Sequence, residues 1–168
     1  MKYSAKAEIL ETDDDAQLAW DAIEPVWDDF PVGGRFNAMS AYLDSLSSGQ
    51  RSLLAIDWCQ KEIRNGGMIQ LFGNSTGNLV PQAIEGFRTI GAKKYADILT
   101  EASQCLGSPY PQSGNARKKA YSSLDSSEKE RIEELDGEFL KLLWSDSDDL
   151  EPIRAGFVRQ NCNEFIEN

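Results

Sequence analysis

The chain predicts an all-α fold, a single-domain bundle of about seven to eight helices over residues 1–168, on three observations. Apolar residues recur at helical spacing almost throughout; clusters of Gly, Pro and Ser cut that pattern into helix-length pieces; and only residues 3–11 leave room for a short strand. With 168 residues and 40% hydrophobic content, the chain is long enough to bury most of its unfolded surface around one core.

Residues 14–29 form the first helix, disturbed at Pro25, and residues 36–46 the second, set off by Pro31, Gly33 and Gly34. Ser47, Ser48 and Gly49 open a third, running to about residue 64. It carries Leu53, Ile56, Cys59 and Ile63 on one side and Leu54 and Trp58 on another, so two apolar faces place it at the centre of the bundle. Asn65-Gly66-Gly67 ends it, and a helix of barely two turns follows before the polar and small residues around Asn74-Ser75. Pro81 suits a first helical position; Ile84, Phe87 and Ile90 face the core and Gly91 ends that helix. Tyr95, Ile98, Leu99, Ala102, Cys105 and Leu106 make residues 92–106 an amphipathic helix that forms a hairpin with its predecessor. The stretch 107–115, with Pro109, Pro111 and Gly114, is the longest loop and the best candidate for a mobile or exposed connection. Asp125 or Ser126 caps the next helix, which has Glu128 in its first turn, Ile132, Leu135, Phe139 and Leu142 as its apolar stripe, and an end near Trp144. Asp146, Asp148, Asp149 and Glu151 gather where a last helix begins, and that helix is expected to bury Leu150, Ile153, Phe157, Cys162 and Phe165.

Composition narrows the chemistry. The chain has no histidine, which excludes imidazole bases, histidine-ligated metals and serine–histidine hydrolysis. Cys59, Cys105 and Cys162 are far apart and form no Cys-x-x-Cys pair, so they read as core thiols rather than a disulfide framework or zinc site. No metal, cofactor or catalytic residue is assigned. The amino terminus lacks a signal-type apolar segment and no run of about 20 apolar residues occurs, so the expectation is a soluble, cytoplasmic protein without membrane contact. A formal net charge of −11 argues against nucleic acid as a direct ligand and for a basic protein partner. The acid is segregated. Residues 1–30 carry 9 acidic and 2 basic side chains, net −7, and residues 125–168 carry 13 and 5, net −8, around a middle of net +4.

The most distinctive segment is 62–77. Glu62, Asn65, Gly66, Gly67, Gln70, Asn74 and Ser75 place a carboxylate, two side-chain amides at i, i+4 and a hydroxyl around a double-glycine break. They either satisfy backbone groups at two helix ends or present polar groups to a ligand; the first is the commoner role for buried amides. With Phe72 and Gly77, then Pro81, Ala83, Ile84, Ile90-Gly91-Ala92 and Tyr95-Ala96, this run resembles a bacterial all-helical family long filed as a domain of unknown function, whose named representative is an acidic DNA mimic. The resemblance continues through Leu135-Asp136, Phe139 and the Asn161–Phe165 region, covering roughly residues 48–166, and departs where Met68 stands in place of an expected aromatic. It implies an all-α fold, self-association into a homodimer and, for the representative, binding to a transcription regulator in place of its operator DNA.

The acid itself has helical register. Asp21, Glu24 and Asp28 fall at i, i+3, i+7, and Glu130, Glu134 and Glu138 at i, i+4, i+8, each set on one helix face. Four helical residues advance about 6 Å and phosphates of one DNA strand about 3.4 Å, so one stripe has roughly half the needed charge density and several must combine. The expectation is that carboxylates from both ends of the chain converge into one surface that captures a basic DNA-binding protein. Alternatives are an immunity or antitoxin-like inhibitor of a basic nuclease and a small enzyme or ligand-binding domain built on Glu62, Asn65, Gln70 and Asn74, with Arg64 recognising an anion.

Overall fold

The computed structural model describes residues 3–34, 36–145 and 149–166. In chain order its helices are α1 (Asp15–Asp21), α2 (Glu24–Trp27), α3 (Phe36–Asp44), α4 (Ser48–Gly73), α5 (Val80–Thr89), α6 (Lys93–Gln104), α7 (Gly114–Ser123), α8 (Ser126–Leu143) and α9 (Leu150–Gln160). Short 3-10 turns occur at Ala7–Glu11, Ser75–Leu79 and Cys162–Glu164. The fold is all-α, with no strand among the described residues. Where residues 3–11 left room for one, there is a 3-10 turn and an isolated bridge between Ala5 and Ile166.

Local signals start most helices. Asp14 caps α1 by accepting from Gln17 N at 3.0 Å. Ser47 and Gln50 form a capping box on α4, and Asp125 and Glu128 form another on α8. Asp149 caps α9 through Glu151 N; Asp146 and Asp148, expected beside it, lie outside the described residues. The helix expected over 14–29 is two helices, because Pro25 sits in the first turn of α2 and the chain turns at Ala22 and Ile23. An unforeseen helix, α7, occupies part of the expected loop and its sequel, with Ser113 as its cap. What remains of that loop is tied down: the Tyr110 hydroxyl donates to the Gly77 carbonyl at 3.0 Å.

The buried apolar cluster runs from Ala5 to Ile166 and draws on every α-helix except α7, whose Ala120 and Tyr121 pack against it. Helix α4 is its axis, with Leu53, Leu54, Ala55, Ile56 and Cys59 fully buried. Around α4, α5 lies close enough that a Cβ on Gly86 would stand 2.9 Å from the Ser52 carbonyl oxygen. Phe87, Tyr95 and Phe139 join α5, α6 and α8 in one aromatic cluster with centroids 5.2–5.9 Å apart. At the other end Trp27 stacks on Trp58 at 4.3 Å and fixes α2 to α4, while α1 packs along α9. Of the residues expected to be buried by α9 and its sequel, Leu150 and Phe165 are; Ile153, Phe157 and Cys162 are half-buried, and Ala155 and Val158 are buried in their place. Cys59 is a core thiol, whereas Cys105, like Cys162, is half-buried. No helix among the described residues is long and apolar enough to cross a membrane.

Candidate functional site

The double-glycine segment breaks α4 into two arms. Gly67 adopts φ +75, a left-handed conformation that favours glycine, and a Cβ there would also stand 3.0 Å from Asp136 Oδ2. Asp136, projecting from α8, restarts the helix from outside by accepting from Met68 N at 2.7 Å. Burial raises the pKa of its carboxyl; the Met68 hydrogen bond acts in the opposite sense and does not cancel it.

The break folds the second arm back over Glu62. This carboxylate is 8% exposed and accepts three hydrogen bonds: from Gln70 Nε2 at 2.7 Å, Asn74 Nδ2 at 2.9 Å and the Thr76 hydroxyl at 2.6 Å. Three donors aimed at one anion stabilise a buried charge without a cation. Gly66 makes room for the arrangement, since a Cβ there would meet Gln70 Oε1 at 2.1 Å. Ser75 belongs to a different contact, accepting from Gly33 N at 3.0 Å, and Asn65 and Arg64 are exposed to solvent. Of the seven motif residues, then, Glu62, Gln70 and Asn74 meet; Gly66 and Gly67 shape the backbone, and Asn65 and Ser75 stand apart.

The other side of the same turn is held by Arg117, which the sequence reading missed. It is fully buried on α7, donating to Phe72 O at 2.7 Å, Asn74 O at 2.8 Å, Asn78 Oδ1 at 2.8 Å and Pro111 O at 3.0 Å. Phe72 and Asn74 supply carbonyls of the α4 C-terminus, where the helix dipole favours a cation. Burial lowers the pKa of the guanidinium from its ordinary value. Asn74 thus couples two buried charges of opposite sign: its amide donates to Glu62 and its carbonyl accepts from Arg117. Gly77 is required beside them, because a Cβ would stand 2.4 Å from Leu71 O and 2.9 Å from Arg117 Nε. The Glu62 contacts join side chains to one another, and backbone groups at the end of α4 are served by Arg117, a residue outside the motif.

The acidic stripes fare differently from each other. Glu24 and Asp28 on and beside α2 are exposed and make no ion pair among the described residues; Asp21 is half-buried and accepts from Gln17 Nε2 at 2.6 Å. On α8, Glu130 is exposed and makes no ion pair among the described residues, but Glu134 and Glu138 both accept from Arg131 Nη1, at 2.9 and 3.2 Å, while Arg131 Nε binds Glu101 of α6 at 2.7 Å. Arg131 lowers the pKa of the Glu101 carboxyl, chiefly through that hydrogen bond. The first stripe therefore rides on helices that pack against α9 and, at Trp58, against α4; the second rides on α8, packed against α6 and, at Met68, against the far arm of α4. The two acidic ends of the chain meet through α1 and α9, where Asp15 pairs with Arg159 at 2.7 Å, and Arg154 bridges Glu151 and Asp57. Among the described residues no three His, Cys, Asp or Glu side chains are grouped to hold a metal ion.

A model of the family described as DMP19-like protein matches residues 44–161, a span that contains the broken helix, the Glu62 and Arg117 contacts and α8. No curated protein and no solved structure matches the chain.

Proposed function

The chain belongs to the DMP19-like protein family, and from that premise we propose that it acts without chemistry, as an acidic protein-binding module that occupies the DNA-binding surface of a basic partner such as a transcription regulator. The observation that carries this reading is the state of the amino-terminal carboxylates. Glu8, Glu11, Asp13, Glu24, Asp28 and Asp29 are all exposed, and none makes an ion pair among the described residues. In a chain of net charge −11, such groups project an undischarged field over about one Debye length, 8–10 Å at moderate salt, which steers a cationic surface toward them. The motif supports the same reading from the other direction: the Glu62 carboxylate, which an enzymatic cleft would need free, is taken up by Gln70, Asn74 and Thr76. Glu130 adds an exposed charge on α8 with no ion pair among the described residues, whereas Glu134 and Glu138 contribute less because Arg131 pairs with both.

The test is capture from native cell extract on the immobilised chain, with elution by duplex DNA. A DNA-binding protein is expected to be retained by the wild type and displaced by the duplex. Reversing Glu24, Asp28, Asp29 and Glu130 to lysine together is expected to abolish its capture while far-UV circular dichroism stays unchanged. A captured nuclease that the chain inhibits would replace the regulator reading with the immunity-type one. Retention by the reversed variant would defeat the surface assignment.

A further inference from the structure

The α7 helix brings a second, oppositely charged feature to the surface. Between it and the far arm of α4 lies a cleft of about 300 Å³, walled by Ile69, Phe72 and Tyr121 and lined by Gly73, Arg117 and Lys118. Three observations set it apart. First, Ile69 is 46% exposed although its neighbours Met68, Leu71 and Phe72 are at most 2% exposed, so an apolar side chain is left facing the opening. Second, both charged residues lining the cleft are cations. Lys118 makes no ion pair among the described residues, and Arg117 donates only to uncharged oxygens. Third, Lys129 Nζ lies 5.8 Å from the Tyr121 ring centroid, adding positive charge beside that wall. Gly73 lies beside Lys118, whose Cε would be 3.4 Å from a Cβ built there.

An apolar pocket with a few convergent polar groups is the ordinary form of a small-molecule site, and this one carries a single sign of charge in a chain of net charge −11. The larger groove between α6 and α8, about 520 Å³, is unlike it: Asp97, Glu101 and Glu138 alternate there with Lys94 and Lys141, so its lining selects neither sign. We propose that the α4–α7 cleft binds a small apolar organic anion, an aryl or branched-alkyl carboxylate, with the hydrocarbon against Ile69, Phe72 and Tyr121 and the carboxylate at Lys118. The site is separate from the carboxylate surface and stands or falls independently of it.

Naphthalene-1-carboxylate and the 1-naphthylmethylammonium cation, similar in size and opposite in charge, are the probes. Titration calorimetry with backbone amide chemical-shift mapping is expected to show saturable one-to-one binding of the carboxylate, with shifts confined to residues 69–73 and 117–122. The ammonium probe is expected to bind about tenfold more weakly or worse. Lys118→Glu is expected to cost the carboxylate about tenfold or more, by the same charge argument. Lys119→Glu, exposed on the same helix but outside the cleft, should leave its affinity unchanged. Ile69→Asp provides a second variant on the opposite wall and is expected to weaken binding as well. Equal affinity for the two probes, indifference to Lys118→Glu, shifts mapping elsewhere, or no saturable binding would each overturn the assignment.

Discussion

Arg117→Ala is expected to lower the free energy of unfolding by about 3–5 kcal/mol, the scale of a large-to-small replacement at a buried site that also orphans hydrogen-bond acceptors. The cost has two sources. Four acceptors lose their donor: Phe72 O and Asn74 O at the end of α4, Pro111 O in the loop, and Asn78 Oδ1. Phe72 O is buried and poorly placed to find water in its stead, at about 1–3 kcal/mol for an orphaned buried acceptor, whereas the other three contacts are only partly buried. The cavity left by the largest fully buried side chain adds to this. Arg117→Lys should recover only a minor part, because an ammonium on a flexible stem cannot reproduce a planar fork that serves three backbone carbonyls and an amide at once. Urea unfolding followed by circular dichroism measures both variants. A loss under about 1 kcal/mol for Arg117→Ala would mean that α7 is not held by this contact.

Glu62→Ala is expected to cost about 3 kcal/mol for the converse reason. Three donors, from Gln70, Asn74 and Thr76, lose the one anion they share. Glu62→Gln keeps the shape and removes the charge, but one end of the new amide is a donor and faces donors; a cost of about 2 kcal/mol is expected. Because Asn74 links Glu62 to Arg117, the double replacement Glu62→Ala with Arg117→Ala should cost less than the sum of the singles. Thermal or urea unfolding of the cycle measures that coupling; strict additivity would show that the two charges act separately.

Both experiments probe a part of the molecule that was half legible in the sequence. The double glycine announced a break, and Gln70 and Asn74 at i, i+4 announced a polar focus. What the focus was for depended on the left-handed turn at Gly67, which carries Thr76 as well onto Glu62. Arg117 could not be read at all. Its principal partner, Phe72, is 45 residues away, and α7 offers the apolar pattern little beyond Ala116, Ala120 and Tyr121, so a helix buried by a cation has no periodic signature. By contrast, α5, α6 and α8 were legible because their signals are local: Pro81 in a first turn, an uninterrupted stripe in α6, and the Asp125–Glu128 box. The acidic stripes show the limit of helical register from another side. Arg131 interrupts the α8 stripe in sequence, but that it also binds Glu101 across to α6, and so offsets one of the three carboxylate charges in a cross-helix cluster with Glu134 and Glu138, is a tertiary fact. Glu24 and Asp28 make no ion pair among the described residues, and the cation beside their helix, Lys61, has its Nζ 4.5 Å from the Trp27 ring centroid; that is why the proposed function leans on this stripe more than on α8.

Affinity for the captured partner, measured from roughly 0.05 M to roughly 0.5 M salt, tests most directly whether a carboxylate surface stands in for a duplex. A fall of about a hundredfold or more is expected, because contacts between exposed charges are screened as the Debye length contracts. An affinity that stays constant across that range would contradict it.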